Sequence, residues 1–285
     1  MLPERLASDP RMLPVRDGLA ADHLRGQVDA QRFVSGRKMQ IGSGSSALRK
    51  APDPASEQIN QALFGEGFTV YDETAGWAWG QLETDNYVGW MRSNDLSAPV
   101  AATHRLRVLR SFIYERPDMK APPLVAVSMN ARLTLGEVSN GFARVNGSGW
   151  IFARHATVLG DFETDFVGVA ERFVGSPYLW GGRESAGIDC SGLVQISLQA
   201  TGVSPLRDTD MQEQTLGRPL EADPSFSGLK RGDLDFWRGH VGIMTSATSL
   251  LHASARDLHV EIEPLAEAVA RIQPIAGEVR SVRRL

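Results

Sequence analysis

Asp189-Cys190-Ser191-Gly192-Leu193-Val194 is the stretch on which the fold and the chemistry of this chain turn, and it holds the only cysteine of the 285 residues. Asp189 reads as a helix N-cap and Gly202 lies past the helix end. Leu193, Val194 and Leu198 give the helix a core stripe. Upstream stands Tyr178-Leu179-Trp180-Gly181-Gly182. Downstream come Gly232-Asp233-Leu234-Asp235-Phe236-Trp237-Arg238-Gly239-His240-Val241-Gly242-Ile243 and then Leu251-His252-Ala253. A thiol at a helix start, followed by two histidines in strand-like segments, is the chain order of a cysteine hydrolase.

A lone cysteine is most often a buried structural thiol. Three features set Cys190 apart. A helix N-terminus carries partial positive charge, which favours a thiolate and predicts a lowered pKa. Asp189, Ser191 and Gly192 are polar or small, poor company for a core plug. Two histidines also arrive in a suitable place. Thr245-Ser246-Ala247-Thr248-Ser249 reads as the tip of a hairpin joining runs 240–245 and 250–254. A turn centred near Ser246 sets position 240 opposite position 252, on one face of the ladder. His240 and His252 then touch, one imidazole positioning the other, which is the logic of nucleophile, base and orienter. His23, His104, His155 and His259 lack such a setting and read as satisfied strand residues. A zinc site is disfavoured, because only three candidate ligands exist and they lack paired-ligand spacing. No metal or cofactor is expected.

Outward from this centre, 165–174 reads as a helix with Phe166, Val169 and Phe173 on one face. β-type runs follow at 233–237, 240–245 and 250–254, so the C-terminal part is α+β. Before residue 160 the chain is different. Phe68-Thr69-Val70-Tyr71, Gly76-Trp77-Ala78-Trp79-Gly80-Gln81-Leu82 and Tyr87-Val88-Gly89-Trp90-Met91 are short β-type runs. Leu133-Thr134-Leu135, Gly141-Phe142-Ala143-Arg144-Val145 and Gly149-Trp150-Ile151 repeat their order. The repeat is a β unit of about 60 residues with tight turns, which predicts a pair of small barrels. Residues 1–40 read as an arm with some helical pattern, and 42–46 as a turn or linker. The expected domains are therefore an arm at 1–40, β domains at 41–99 and 100–160, and a catalytic domain at 161–285.

Length suits two or three domains. A hydrophobic fraction of 42% and a charged fraction of 22% are ordinary for a globular chain. A net charge of −4 gives no electrostatic case for nucleic acid or an anionic membrane as partner. One cysteine excludes an intrachain disulfide. The N-terminus has no basic cap, apolar run or small-residue cleavage site, and no segment approaches the ~20 apolar residues of a membrane span. A cytoplasmic location is the expectation.

The paired runs ending in Gly-Trp-Met and Gly-Trp-Ile resemble bacterial SH3-like (SH3b) domains. The residues around Cys190, His240 and His252 closely resemble the NlpC/P60 family of cell-wall peptidases over about 162–275. That resemblance implies a papain-like α+β catalytic domain preceded by two SH3b-like barrels. It assigns Cys190 as nucleophile, His240 as base and His252 as the third polar residue. It places Tyr178 beside the thiolate and Trp180 in the cleft wall, whereas Trp237 reads as packing. The Cys190 N–H, aided by Tyr178, is the candidate oxyanion donor. Pro205-Leu206-Arg207-Asp208-Thr209-Asp210-Met211-Gln212 resembles a loop of the γ-D-glutamyl-L-diamino acid endopeptidases of murein-peptide recycling. In that branch the first SH3b domain lends a glutamate and a tyrosine, matched here by Glu66 and Tyr87. Glu66 or Asp208 would meet the free amine of a small murein peptide, and Thr209 and Ser191 would add hydrogen bonds. Against these stand plainer roles: Glu66 as a solvated turn residue, Asp208 as a helix cap and Tyr87 as barrel core. Two other functions stay open. One is the same chemistry on intact peptidoglycan with SH3b wall anchoring; the other is an inactive wall-binding adaptor, with periplasmic or secreted relatives in the wider family.

Overall fold

Gly89 and Gly149 mark the same point in two similar β assemblies. A Cβ on Gly89 would lie 2.7 Å from the Leu48 side chain, and one on Gly149 would lie 2.2 Å from Ile113. In each assembly the tryptophan after the glycine pairs with a bulged strand: Trp90 with Arg49, beside an irregularity at Leu48/Arg49, and Trp150 with Tyr114, beside one at Ile113/Tyr114. The bulge bends its strand over the neighbouring one, and only a residue without a side chain fits beneath. A 3-10 turn then follows each strand, Ser93–Asp95 in one and Ala153–His155 in the other.

The structure is a computed structural model, and it describes residues 6, 8–147, 149–221 and 226–285. The chain divides into two compact units, Met1–Asp161 and Phe162–Leu285. Both β assemblies lie in the first. One is a seven-stranded sheet built from 37–97 around Ile41, Leu48, Phe68, Leu82 and Met91. The other joins a five-stranded and a three-stranded sheet around Leu106, Ile113, Val127, Leu133 and Ile151. Phe64 enters this second core, and its carbonyl accepts the Arg132 N–H at 2.8 Å.

Residues 15–34 are not the partly helical arm expected. They form a small sheet of Val15–Arg16, Leu19–Ala21 and Arg32–Val34. Asp17 and Gly18 both have positive φ, the two-residue turn that Asp-Gly favours and that overrides a weak helical period. Leu19 packs on Trp77, Trp79 and Trp90, and the Arg16 guanidinium lies 4.9 Å from Trp79 and 4.6 Å from Trp90. This explains the crowded Trp77-Ala78-Trp79 run. Alternation sends Ala78 into the barrel core and both tryptophans to the outer face, under the N-terminal sheet.

The second unit is α+β, with helices Phe166–Glu171, Cys190–Ala200, Thr209–Thr215 and Leu265–Ala276. Its six-stranded sheet runs in the order Arg218–Leu220, Ser281–Arg284, Asp233–Trp237, His240–Met244, Ser249–Ser254, His259–Pro264. The last helix packs Leu265, Ala268 and Ile272 on Trp237, Met244 and Leu250. Val241, Ile243, Leu251 and Ala253 turn to the other face by alternation. The helix expected at 165–174 is regular only over Phe166–Glu171, with the Asp165 side chain accepting the Val167 N–H. Among the described residues, no helix is long and apolar enough to cross a membrane.

Candidate active site

Asp189 does more than cap the helix it begins. Its Oδ1 accepts the Gly192 N–H at 2.7 Å, and its Oδ2 accepts the Gly181 N–H at 2.8 Å. Arg207, only 1% exposed, grips both oxygens, at 2.9 and 2.6 Å. One carboxylate thus fixes the Gly181-Gly182 turn, the first helical turn and the following loop around Cys190. Gly192 is required for this closeness, because a Cβ there would stand 2.3 Å from the Gly182 carbonyl oxygen. Gln212 completes the support, donating to the carbonyls of Ser191 and Leu206 at 2.9 Å each. The signal for Arg207 and Gln212 was the 205–212 motif itself, which the sequence reading assigned to Asp208 and Thr209 only.

The base side comes from the hairpin, in a register different from the one expected. Ile243 pairs with Leu251 and Met244 with Leu250, which centres the turn on Ala247. Position 252 therefore lies across from Gly242, and His240 meets His252 on the diagonal. Strand twist makes the contact possible, because side chains across a twisted pair lean one way. A Cβ on Gly242 would likewise meet Leu250, the diagonal neighbour, at 2.6 Å. His240 Nε2 and His252 Nδ1 are 2.8 Å apart, with ring planes at 76°. His252 Nε2 lies 2.8 Å from Glu263 Oε1, and Arg271 bonds the same oxygen. Trp237 stays in the core as expected, its ring 5.7 Å from that of His240.

The thiol is buried beside this pair: the backbone N–H groups of Val241 and Ser191 point at its sulfur. The predicted lowering of its pKa does not hold. Burial pushes the Cys190 thiol up to about 12, the Asp189 charge adds to this, and the Val241 N–H, Arg207 and the Ser191 N–H act against it. Desolvation outweighs the helix N-terminus here, and the carboxylate that caps the helix adds its like charge next to the sulfur. Burial likewise holds His240 down to about 3, with His252 and Arg271 adding. His252 is held down to about 4, by burial first and then Arg271. At neutral pH the pair at rest is a thiol and an uncharged imidazole. Tyr178 is raised well above the usual phenol range by burial, with Cys190 and Asp189 contributing, so it stays an O–H donor next to the sulfur.

The other expected binding residues fall into distinct settings. Trp180 is 58% exposed, with no role in the core. Ser191 is buried, donating to Asp189 at 3.3 Å and accepting from Arg207 at 2.8 Å, so its hydroxyl serves the support network. Asp208 holds the N-cap position of Thr209–Thr215 without a side-chain cap bond, and both Asp208 and Thr209 are half-buried. In the first unit Glu66 is 2% exposed, not a solvated turn residue. Its carboxylate accepts from the Leu63 N–H and from Thr84 Oγ1, at 2.8 and 2.9 Å. Tyr87 lies in the core of the first β assembly.

His252, Glu261 and Glu263 bring ligand-type atoms within 4.8 Å of one another. Arg271 already supplies a positive charge at Glu263, so the cluster does not call for a metal ion; Glu263 orients His252, and the Glu261 oxygen stands off at 3.8 Å. Sequence reasoning missed these carboxylates. Their signal was the alternation in His259-Val260-Glu261-Ile262-Glu263, which puts both acids on one face of a strand beside His252.

Both units resemble known proteins. Residues 175–274 match the NlpC/P60 family, and residues 48–96 match the bacterial dipeptidyl-peptidase SH3 domain. Dipeptidyl-peptidase 6 of Lysinibacillus sphaericus is 24% identical over 245 residues, covering 77% of this chain and 89% of the relative. The gamma-D-glutamyl-L-lysine dipeptidyl-peptidase of Bacillus subtilis is 28% identical over 236 residues, covering 73% and 76%. The crystal structure of an NlpC/P60 family protein from Bacillus cereus superposes with a TM-score of 0.73 at 22% identity, over 87% of this chain and 99% of the other, a likeness of fold. The chain is a cysteine peptidase whose catalytic domain belongs to the NlpC/P60 family, and it carries a bacterial SH3 domain ahead of it.

Proposed function

We propose that the protein cleaves the γ-D-glutamyl–diamino acid bond of free murein peptides with an N-terminal L-alanine, in cytoplasmic recycling of cell-wall peptides. The observation that carries the reading is the hydrogen-bonded His240–His252 pair beside the only thiol. The names of the Bacillus relatives support the bond that is cut. In the reaction the Cys190 proton passes to His240 as sulfur bonds the γ-carbonyl carbon. The Cys190 N–H and the Tyr178 O–H hold the oxyanion. The imidazolium returns the proton to the departing amine as the C–N bond breaks, leaving a thioester. Water then adds, giving a proton to His240; the C–S bond breaks and sulfur takes the proton back.

In this reading the second β assembly is a second SH3b-like barrel, and Asp208 and Thr209 hold the free amino end, with Trp180 against the peptide. An ammonium group taken out of water needs such a counter-charge, and a peptide without it is rejected.

The test compares hydrolysis of L-Ala-γ-D-Glu-diaminopimelate with its N-acetylated form, with Cys190→Ala as the blank. Cleavage of the free peptide alone is expected. Equal cleavage of both removes the amine pocket. Activity on intact peptidoglycan but on neither peptide moves the reading to wall hydrolysis, and no activity on any substrate favours the adaptor.

A further inference from the structure

Two neutral imidazoles in line can carry their protons in either of two orders, and only one of them gives a base. His240 Nε2 is committed to His252, so Nδ1 is the nitrogen left for the thiol. Nδ1 accepts a proton only if Nε2 already bears the ring hydrogen. His240 Nε2 must then donate to His252 Nδ1, and His252 must carry its own hydrogen on Nε2. With the opposite order His240 presents an N–H to Cys190 and cannot take its proton.

Glu263 decides between the two. Its Oε1 receives the Arg271 guanidinium, which is only a donor, and an oxygen facing a guanidinium acts as acceptor. The same Oε1 lies 2.8 Å from His252 Nε2, so that nitrogen is the donor and carries the hydrogen. Glu261 sits directly across the ladder from His252, yet its carboxylate oxygen is 3.8 Å away, beyond a hydrogen bond. Diagonal Glu263 makes the contact, as diagonal His240 does on the other side. Charged and titratable groups around Glu263 are Arg271 and Glu267 on the last helix, and Asp257, Glu261 and His252 on the strands and their turn.

We propose that Glu263, held by Arg271, is a positioning residue that fixes the tautomers of His252 and His240 and so leaves His240 Nδ1 unprotonated toward Cys190. The inference rests on reading Cys190 and His240 as nucleophile and base. No proton travels along the relay. The ring hydrogens on His240 Nε2 and His252 Nε2 stay in place while the thiol proton enters at Nδ1.

The experiment uses the full chain and two readouts: kcat and KM on the free peptide, and the rate of Cys190 alkylation by iodoacetamide at pH 7. The second needs only thiol and base, and this chain has one cysteine. Glu263→Ala is expected to lower kcat and alkylation on the order of 10²-fold, the low end of what acid–base catalysis contributes, with KM within about twofold. Glu263→Gln is expected to stay within about threefold of wild type in both, because Arg271 selects the amide oxygen for the shared position and it accepts the same N–H. Glu261→Gln should match wild type. Wild-type rates in Glu263→Ala overturn the proposal. So does a Glu263→Gln that is folded by circular dichroism yet as slow as Glu263→Ala, since charge rather than an acceptor is then what matters. If wild type cleaves no peptide while alkylation still falls in Glu263→Ala, the proposed substrate is lost and the tautomer assignment stands.

Discussion

A thiol held at about 12 and an imidazole held at about 3 together place the proton on sulfur in the resting protein. Reactivity then requires proton transfer during attack, not a stored thiolate. The alkylation rate of Cys190 with iodoacetamide is expected to keep rising from pH 7 to pH 10, as free thiolate appears. A plateau reached below pH 8 would mean a standing thiolate–imidazolium pair and would refute this account. Behind the thiol, the Arg207–Asp189 pair is buried, with only the Asp189 side chain keeping slight exposure. Removing one partner of a buried pair strands the other charge, so Arg207→Met should cost about 3–5 kcal/mol in urea unfolding. A loss below about 1 kcal/mol would show that the pair is replaceable. The meeting of His240 with His252 was legible from residue type and order alone. Arg207 and Glu263 were not, because their roles depend on which buried groups they meet across 18 and 11 residues of chain.

Strand Asp233–Trp237 is fully buried, yet it carries two carboxylates. Asp233 is paired with Arg284 at 2.6 Å. Asp235 is 0% exposed, its two oxygens have no hydrogen-bond partner among the described residues, and burial with the Asp233 charge pushes it up to about 7. A carboxyl that rises from 3.8 to about 7 on folding keeps its proton over a window in which the unfolded chain has lost it. Its stability contribution is therefore intact below pH 4, declines as pH rises toward 7, and remains lost above. Asp235→Val conserves volume between its ladder partners Gly242 and Val282. It should stabilise the protein at pH 8 by on the order of 2 kcal/mol, and by less at pH 5, in urea unfolding. Equal effects at both pH values would show that the carboxyl does not titrate as argued. Strand limits were readable here because Gly-Asp and Arg-Gly punctuate an alternating run. The hairpin register was not. A shift of the turn by one residue keeps His240 and His252 on one face, so the expected contact survived while the pairing changed.

Across the whole chain, the duplication seen as Gly-Trp at 89–90 and 149–150 corresponds to one structural rule used twice: a bulged strand crossing over a residue without a side chain. The rule was legible because glycine at such a crossing leaves a mark in sequence. The N-terminal sheet left a weaker mark, an Asp-Gly turn between short segments, whose partners are tryptophans about 60 to 70 residues away. If the two glycines are equivalent, a methyl group should be resisted at both. Gly89→Ala and Gly149→Ala are each expected to cost about 1–3 kcal/mol, the usual range for overpacking a filled core. Because the sites lie in separate sheets around separate cores, the double variant should lose the sum within about 0.5 kcal/mol. Urea unfolding followed by tryptophan emission reads both, through Trp90 and Trp150 beside the substituted positions. Loss at only one position would make the second Gly-Trp a chance match, and strong non-additivity would mean that the two cores respond as one.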